Sequence, residues 1–277
     1  MKKYSICACV RIINPFIFTE WLHYQFMIGF EHIYLYDNKS SYSMSELCQQ
    51  YIDKITIYTN DDDCIQYDTY NHFVKTHRND TEYVAFIDDD EFINFNDEYN
   101  SIEDVMKYME YPDYLILNWV YMGCEKRVRN LTTFLIESNN TGTQFAQKDN
   151  QIKVIVKTNK IINVPNAHAV NVSKSKMVFK DGCNDIKEIN TVIYAYNILK
   201  SNPFIWIHHY YKMSRNDFLL KCQRGKADFL CKLNFEELFV YDNLEKNNSM
   251  QRWIDKIKQT CKNPIELLNY CMDKNEL

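Results

Sequence analysis

Val84-Ala85-Phe86-Ile87-Asp88-Asp89-Asp90-Glu91-Phe92 is an apolar, β-prone run that ends in four consecutive carboxylic acids. Such a run reads as a short strand whose carboxyl end leaves the core abruptly. Neighbouring like charges raise one another's pKa, so four acids together are costly without a cation. Hard oxygen donors at a strand end suit Mg2+ or Mn2+. If the strand continued, alternation would put Asp88 and Asp90 on one side and Asp89 on the other. A solvated acidic turn is the plainer reading of the same residues.

Working outward from this run, residues 4–10, 32–36 and 55–59 are further short strands. The segments between them read as helices at 20–30, stopped by Gly29, then at 44–52 and 65–79. Strand–helix alternation of this kind predicts an α/β half with a mainly parallel sheet. Ligands of such sheets sit at the carboxyl ends of the strands, the edge that Asp37 and Asp88–Asp90 share. Beyond the acidic run the pattern predicts a helix at 101–109, a strand at 114–119 and strand candidates at 133–136 and 153–156. A late strand at 205–210 ends in His208-His209-Tyr210. After Ser214, a good N-cap, helices are expected at 215–224, 235–247, 250–262 and 264–273. The expected organisation is one catalytic domain over 1–228 with a helical segment, 229–277, packed on it.

Composition removes several classes. Only 5 of the 277 residues are glycine, against about 7% in an average chain. No two are spaced for G-x-G-x-x-G, a P-loop or G-x-S-x-G, so glycine-cradled phosphate, NAD-type Rossmann binding and a hydrolase nucleophile elbow are excluded as motifs. A formal net charge of −5 argues against a nucleic-acid surface. The 10 cysteines include no C-x-x-C, which argues against structural zinc and a disulfide framework and fits buried thiols in a reducing compartment. Tyr4–Val10 is too short and too soon cut by Arg11 for a signal peptide. No stretch reaches the ~20 apolar residues that span a bilayer, so a cytoplasmic location is expected.

Three more clusters bear on chemistry. His208-His209 closes an apolar strand, where either ring could ligate a metal or pack in the core. Lys221 and Arg224, three apart, share a helix face and could hold a diphosphate or be ordinary solvated cations. Tyr36-Asp37-Asn38-Lys39-Ser40 reads by itself as an Asx turn.

The order of these pieces resembles the glycosyltransferase family 92 and family 2-like group. The residues that carry the resemblance are Glu20-Trp21, Gly29 through Tyr36-Asp37-Asn38, and Gln66 with the helix to His77. They continue through Asp88-Asp89-Asp90-Glu91-Phe92, Asn118-Trp119 with Gly123, and Lys153 to Val156 with His168. The last is His209-Tyr210-Tyr211-Lys212-Met213-Ser214 with Phe218, Lys221, Arg224 and Gly225. Together they cover roughly 4–228. Two departures stand out. Arg11-Ile12-Ile13-Asn14-Pro15 lacks the Asn-Glu pair usual after the first strand, and Cys124-Glu125-Lys126-Arg127 replaces a Ser/Gly-rich loop.

The resemblance implies a GT-A fold, a Rossmann-like, mainly parallel central sheet with helices on both faces, and a metal-dependent, inverting transferase. It would move a sugar from a nucleoside-diphosphate donor, UDP-linked by expectation, to a glycan acceptor. It implies Asp88, Asp90 and His209 as ligands of Mn2+ or Mg2+. Asp37, Asn38 and Arg11 would lie at the nucleoside, and Asp89 at the ribose or sugar. Lys221 and Arg224 would neutralise the diphosphate. The general base must come from between the acidic run and His209, with Asp185 and then Asp181 as first candidates and Glu125 and Asp113 behind them. Two other readings stay open: a metal-dependent phosphohydrolase or nucleotidyltransferase, and a non-catalytic glycan-binding module.

Overall fold

The protein is described here as a computed structural model, which covers residues 1–63, 65–123, 131–142, 152–173, 175–178, 186–189, 204–224 and 245–273. Strand β1 (Lys2–Val10) leads into helix α1 (Pro15–Met27). That helix begins five residues before the Glu20 expected from apolar spacing. Asn14 caps it by accepting from the Phe16 amide, and Pro15 occupies the first turn, where its missing N–H costs nothing. Ile17 through Gln25 are all buried, so α1 has no polar face to set a period. The chain leaves it through Gly29 at φ +107°, a conformation open to glycine and strained for other residues.

Three further strands follow: β2 (His32–Asp37), β3 (Ile55–Thr59) after the short α2 (Met44–Leu47), and β4 (Thr81–Phe86) after α3 (Gln66–His77). β1 pairs in parallel with both β2 and β4, and β2 with β3. This gives the parallel order β3-β2-β1-β4 with Val10, Asp37 and Thr59 in register at one edge. The expectation of a mainly parallel sheet stops there. β8 (Ile152–Lys157) lies antiparallel between β4 and β6 (Tyr114–Tyr121). Beyond β6 come β11 (Ser175–Val178), parallel to it, and β12 (Ile186–Ile189), antiparallel at the margin. The acidic run does not end in a loop either. It turns into β5 (Glu91–Phe95), which pairs antiparallel with β13 (Ile205–His209), and β13 pairs in parallel with β6. The described strands therefore form a mixed ten-stranded sheet.

Two local expectations are corrected. In place of the strand expected at 133–136, Leu135–Ser138 form a single helical turn, α5. Its free amides of Leu135 and Ile136 donate to the buried carboxylate of Glu20 at 2.8 and 3.0 Å, a tertiary cap that local pattern cannot show. Glu245–Lys246, expected within a helix, pair instead with Thr141–Gly142. The remaining described helices are α4 (Ile102–Tyr108), α6 (Arg215–Arg224), α7 (Gln251–Thr260) and α8 (Pro264–Met272), and β9 (Ile161–Asn166) and β10 (Ala169–Val172) form a separate ribbon. α7 buries Trp253, whose indole N–H donates to Asn94 Oδ1 on β5 at 2.9 Å, so α7 backs the strand that follows the acidic run. No helix among the described residues is long and apolar enough to cross a membrane.

His23 on α1 and His208 on β13 are buried as neutral rings. Burial lowers the first to about 4 and the second to about 3, from an ordinary 6.5. Below pH 6.5 the unfolded chain takes up protons that the folded chain refuses. Stability is therefore complete above pH 6.5 and falls as pH drops, by about 1.4 kcal/mol per pH unit for each ring. Denaturant unfolding should show that His23→Gln shrinks the stability lost between pH 7 and pH 5 by about 2 kcal/mol. An unchanged loss would mean that His23 is not held neutral.

Candidate active site

The site is built on the turn after β4. The Glu91 amide donates to the Asp88 carbonyl at 3.1 Å, and the Asp88 amide donates to Glu91 Oε2 at 2.9 Å. This closed turn replaces the extended strand assumed from alternation, so the acids do not sort onto two sides. Each meets a different element. The turn is held from behind by α1: the Trp21 indole N–H and the Gln25 amide both donate to the Glu91 carbonyl, at 2.9 and 3.0 Å.

Asp88 faces β8 and α3. Its Oδ2 accepts from Lys153 Nζ at 2.9 Å and its Oδ1 from Gln66 Nε2 at 2.8 Å. Lys153 is fully buried and also lies 3.3 Å from Glu91 Oε2. Burial works against the charge of Lys153, but the Asp88 carboxylate at 2.9 Å outweighs it and holds its pKa above the ordinary range. Glu91 is equally buried. Burial pushes its carboxyl well up, against the pull of Lys153.

Asp90 meets α6 and β13 instead. Its carboxylate is paired with Lys221 of α6, and its Oδ1 lies 3.5 Å from His209 Nε2. Burial alone would raise this carboxyl, but Lys221 and His209 outweigh it and keep Asp90 well below the usual range. Strand pairing explains the meeting. His209 sits opposite Glu91 in the β13–β5 ladder and opposite Tyr121 in the β13–β6 ladder. The Tyr210 amide also donates to the Asp90 carbonyl at 2.9 Å. Asp89, between the two, is half-buried. Burial and then the Asp90 charge push it up to about 7, offset by Arg224 and Lys221.

Helix α6 is aimed by both of its ends. Ser214 accepts from the Asp217 amide at 3.2 Å, and Asp217 Oδ1 accepts from Asn14 Nδ2 at 3.0 Å. At the other end Arg224 donates to the Arg11 carbonyl at 3.0 Å. The loop after β1 is thereby stitched to the helix that carries Lys221, and Arg11 is brought to this edge. Asp37 takes its plainer reading: Oδ1 accepts from the Ser40 amide at 3.0 Å. Asn38 donates to the carbonyls of Asn60 and Asp62, at 3.0 and 2.8 Å, and so shapes the loop after β3.

The structure thus brings Asp89, Asp90, His209, Lys221, Arg224 and Arg11 together, with Asp37 and Asn38 along the same edge. Lys153 and Gln66 hold the carboxylate of Asp88, as Lys221 holds that of Asp90. Among the described residues no group of three or more His, Cys, Asp and Glu is arranged to hold a metal ion. Two donors converge, Asp90 and His209. Asp181, Asp185 and Glu125 lie outside the described residues. Asp113 precedes Tyr114 at the far end of β6, about 26 Å of extended chain from Tyr121, which removes it as a candidate base. Sequence reading did not assign Lys153 a role. The signal was there: a lysine between Ile152 and Val154 in an apolar strand must find a buried partner.

No family profile matches the chain, and no curated protein is similar to it. Among solved structures, S. aureus TarS is similar at a TM-score of 0.37 and 16% identity, over 59% of this chain and 30% of that one. The chain therefore spans less than a third of that protein's length.

Removing one partner of a buried ion pair strands the other charge, at a cost of about 3–5 kcal/mol. Lys153→Met should lose about 3 kcal/mol by this route, whereas Glu91→Gln, replacing a carboxyl already pushed toward neutrality, should change stability by less than about 1 kcal/mol. Urea unfolding of both variants at pH 7 checks this. Equal losses would show that Glu91 carries the charge that Lys153 answers.

Proposed function

We propose that the protein is a glycosyltransferase that uses a divalent metal and a nucleoside-diphosphate sugar. The observation that carries this reading is the meeting of Asp90, His209 and Lys221 at the carboxyl edge of the parallel strands. One carboxylate and one imidazole are a short ligand set for a cation. They suit Mg2+ or Mn2+ where a diphosphate and water complete the shell, since Mg2+ is commonly held by one or two carboxylates plus substrate phosphates. His209 Nδ1 is buried without a partner among the described residues, so ligation through Nε2 would disturb no existing bond of the ring's other nitrogen. Asp88 stays the third candidate ligand, its carboxylate held by Lys153 and Gln66.

A metal held there would stabilise charge developing on the departing diphosphate. The chain's own groups do the rest. Lys221 and Arg224 would offer cations to the same oxygens beside the buried Asp90 and His209. Arg11, tied to Arg224, and Asp37 flank the nucleoside. Asp89 would accept from a ribose or sugar hydroxyl. An inverting transfer needs one carboxylate to take the acceptor's proton, and Asp185, then Asp181, are our candidates. UDP is the expected donor nucleotide and a glycan the expected acceptor.

Thermal unfolding with a panel of nucleoside diphosphates and their sugars, with and without Mn2+, tests the reading. A ligand at 100 times its Kd should stabilise the wild type by about 2.7 kcal/mol. That increment should need Mn2+ and should vanish in Asp90→Ala and in His209→Gln, whatever their baseline stability. A shift indifferent to Mn2+ and to Asp90 would sink the metal–nucleotide site. Sugar released to water with no acceptor glycosylated would favour a hydrolase.

A further inference from the structure

The chain carries 21 tyrosines, 16 phenylalanines and 4 tryptophans, and the fold divides them by place. Trp21, Trp253, Tyr24, Tyr70, Phe86 and Phe92 are wholly buried in the core. Trp119, Tyr121 and Tyr211 are not; each stays partly exposed. Trp119 and Tyr121 alternate on β6 with the buried Asn118, Val120 and Met122, so they share one face of the sheet. Tyr211 follows β13. All three gather round one ring: His209 has its centroid 4.1 Å from Trp119, 5.3 Å from Tyr121 and 5.5 Å from Tyr211. His168 stands against Trp119 at 5.0 Å.

Two features of this cluster exceed what core packing needs. It adjoins the proposed reaction centre, since the same His209 lies 3.5 Å from the Asp90 carboxylate. It also holds unsatisfied nitrogens: Trp119 Nε1 and His209 Nδ1 are buried and find no partner among the described residues. A buried donor left unpaired costs about 1–3 kcal/mol, and native structures leave few of them. Partly exposed ring faces beside an indole N–H and an imidazole nitrogen with no partner among the described residues fit one chemistry well. A pyranose presents an apolar C–H face that stacks on aromatic rings, and hydroxyl oxygens that accept N–H groups. Binding sites of this kind pair apolar walls with a few placed polar groups.

We propose that Trp119, Tyr121 and Tyr211, grouped round His209, form a pyranose-binding subsite beside the Asp90 carboxylate. The proposal rests on the glycosyl-transfer reading and deepens it. The ring it takes is that of the donor sugar or that of the acceptor, which present the same C–H face and hydroxyls.

The test uses the full chain with two sets of probes. Calorimetry with Mn2+ compares UDP-glucose, UDP-galactose, UDP-N-acetylglucosamine and GDP-mannose with bare UDP and GDP. Saturation-transfer NMR follows the methyl glycosides of the same four sugars. Trp119→Leu should weaken pyranose binding at least tenfold and leave bare diphosphate binding within twofold of wild type. A loss in the nucleotide sugars relative to the bare diphosphate assigns the subsite to the donor; a loss confined to the methyl glycosides assigns it to the acceptor. Should Trp119→Leu lose its thermal transition, Tyr121→Leu carries the same test. The proposal is overturned if both variants bind every pyranose as the wild type does, or if the wild type binds none. Failure of the wild type to bind any bare diphosphate sinks the transferase reading instead, and the methyl glycoside measurement still decides the subsite.

Discussion

Four consecutive carboxyl groups, Asp88 to Glu91, must share one turn, and the arrangement around them follows from keeping their charges apart. The chain does so by giving each acid its own surroundings. Asp88 goes to a buried lysine on β8, Asp90 to a lysine on α6, and Glu91 into the interior where burial favours its neutral form. Asp89 is left between them with its carboxyl pushed up to about 7. A buried ion pair seldom adds stability over an apolar replacement of the same shape. Two such pairs on one turn are better understood as positioning devices. They fix where the carboxylates point, and they leave Asp90 and His209 facing each other at the edge of the sheet.

The glycine-poor composition has a structural counterpart. Without glycine loops the acidic turn is shaped by side chains from a helix far away in sequence. Trp21 and Gln25 hold its last carbonyl, and Glu20, one residue earlier on α1, caps α5. The Glu20-Trp21 element is therefore a bracket with two arms. One arm holds the carbonyl of Glu91 and the other fixes the segment after residue 130. This accounts for a helix buried along nine consecutive residues with a carboxylate inside it.

Much of the fold was legible in short-range pattern. The strands at β1 to β4, the helix between β3 and β4, and the α6 start at Ser214 follow from apolar runs, spacing and caps that act over a few residues. The misreadings share a cause. α1 starts at Asn14-Pro15, which an apolar-period reading passes over because a helix buried all round has no period. α5 owes its helical turn to Glu20, 115 and 116 residues away. β5 was missed because charged residues hide a strand whose pairing partner, β13, comes more than a hundred residues later. The resemblance grouped Asp88, Asp90 and His209, and put Lys221 with Arg224. In the fold Asp90 meets His209 and Lys221, and Asp88 meets Lys153 and Gln66.

By itself the sequence determined that a strand would end in carboxylates, that no glycine loop would hold phosphate, and that histidine and cations stood near the end of a later strand and helix. Those are properties of residue type and local period, which act over the length of one element. Only the tertiary structure decided which carboxylate meets which cation. Asp88 finds Lys153 across 65 residues and Asp90 finds Lys221 across 131. Those pairings depend on strand order, on β8 lying beside β4 and β13 beside β5. Strand order is set by how the buried faces of distant elements pack together, which no single stretch of the chain contains.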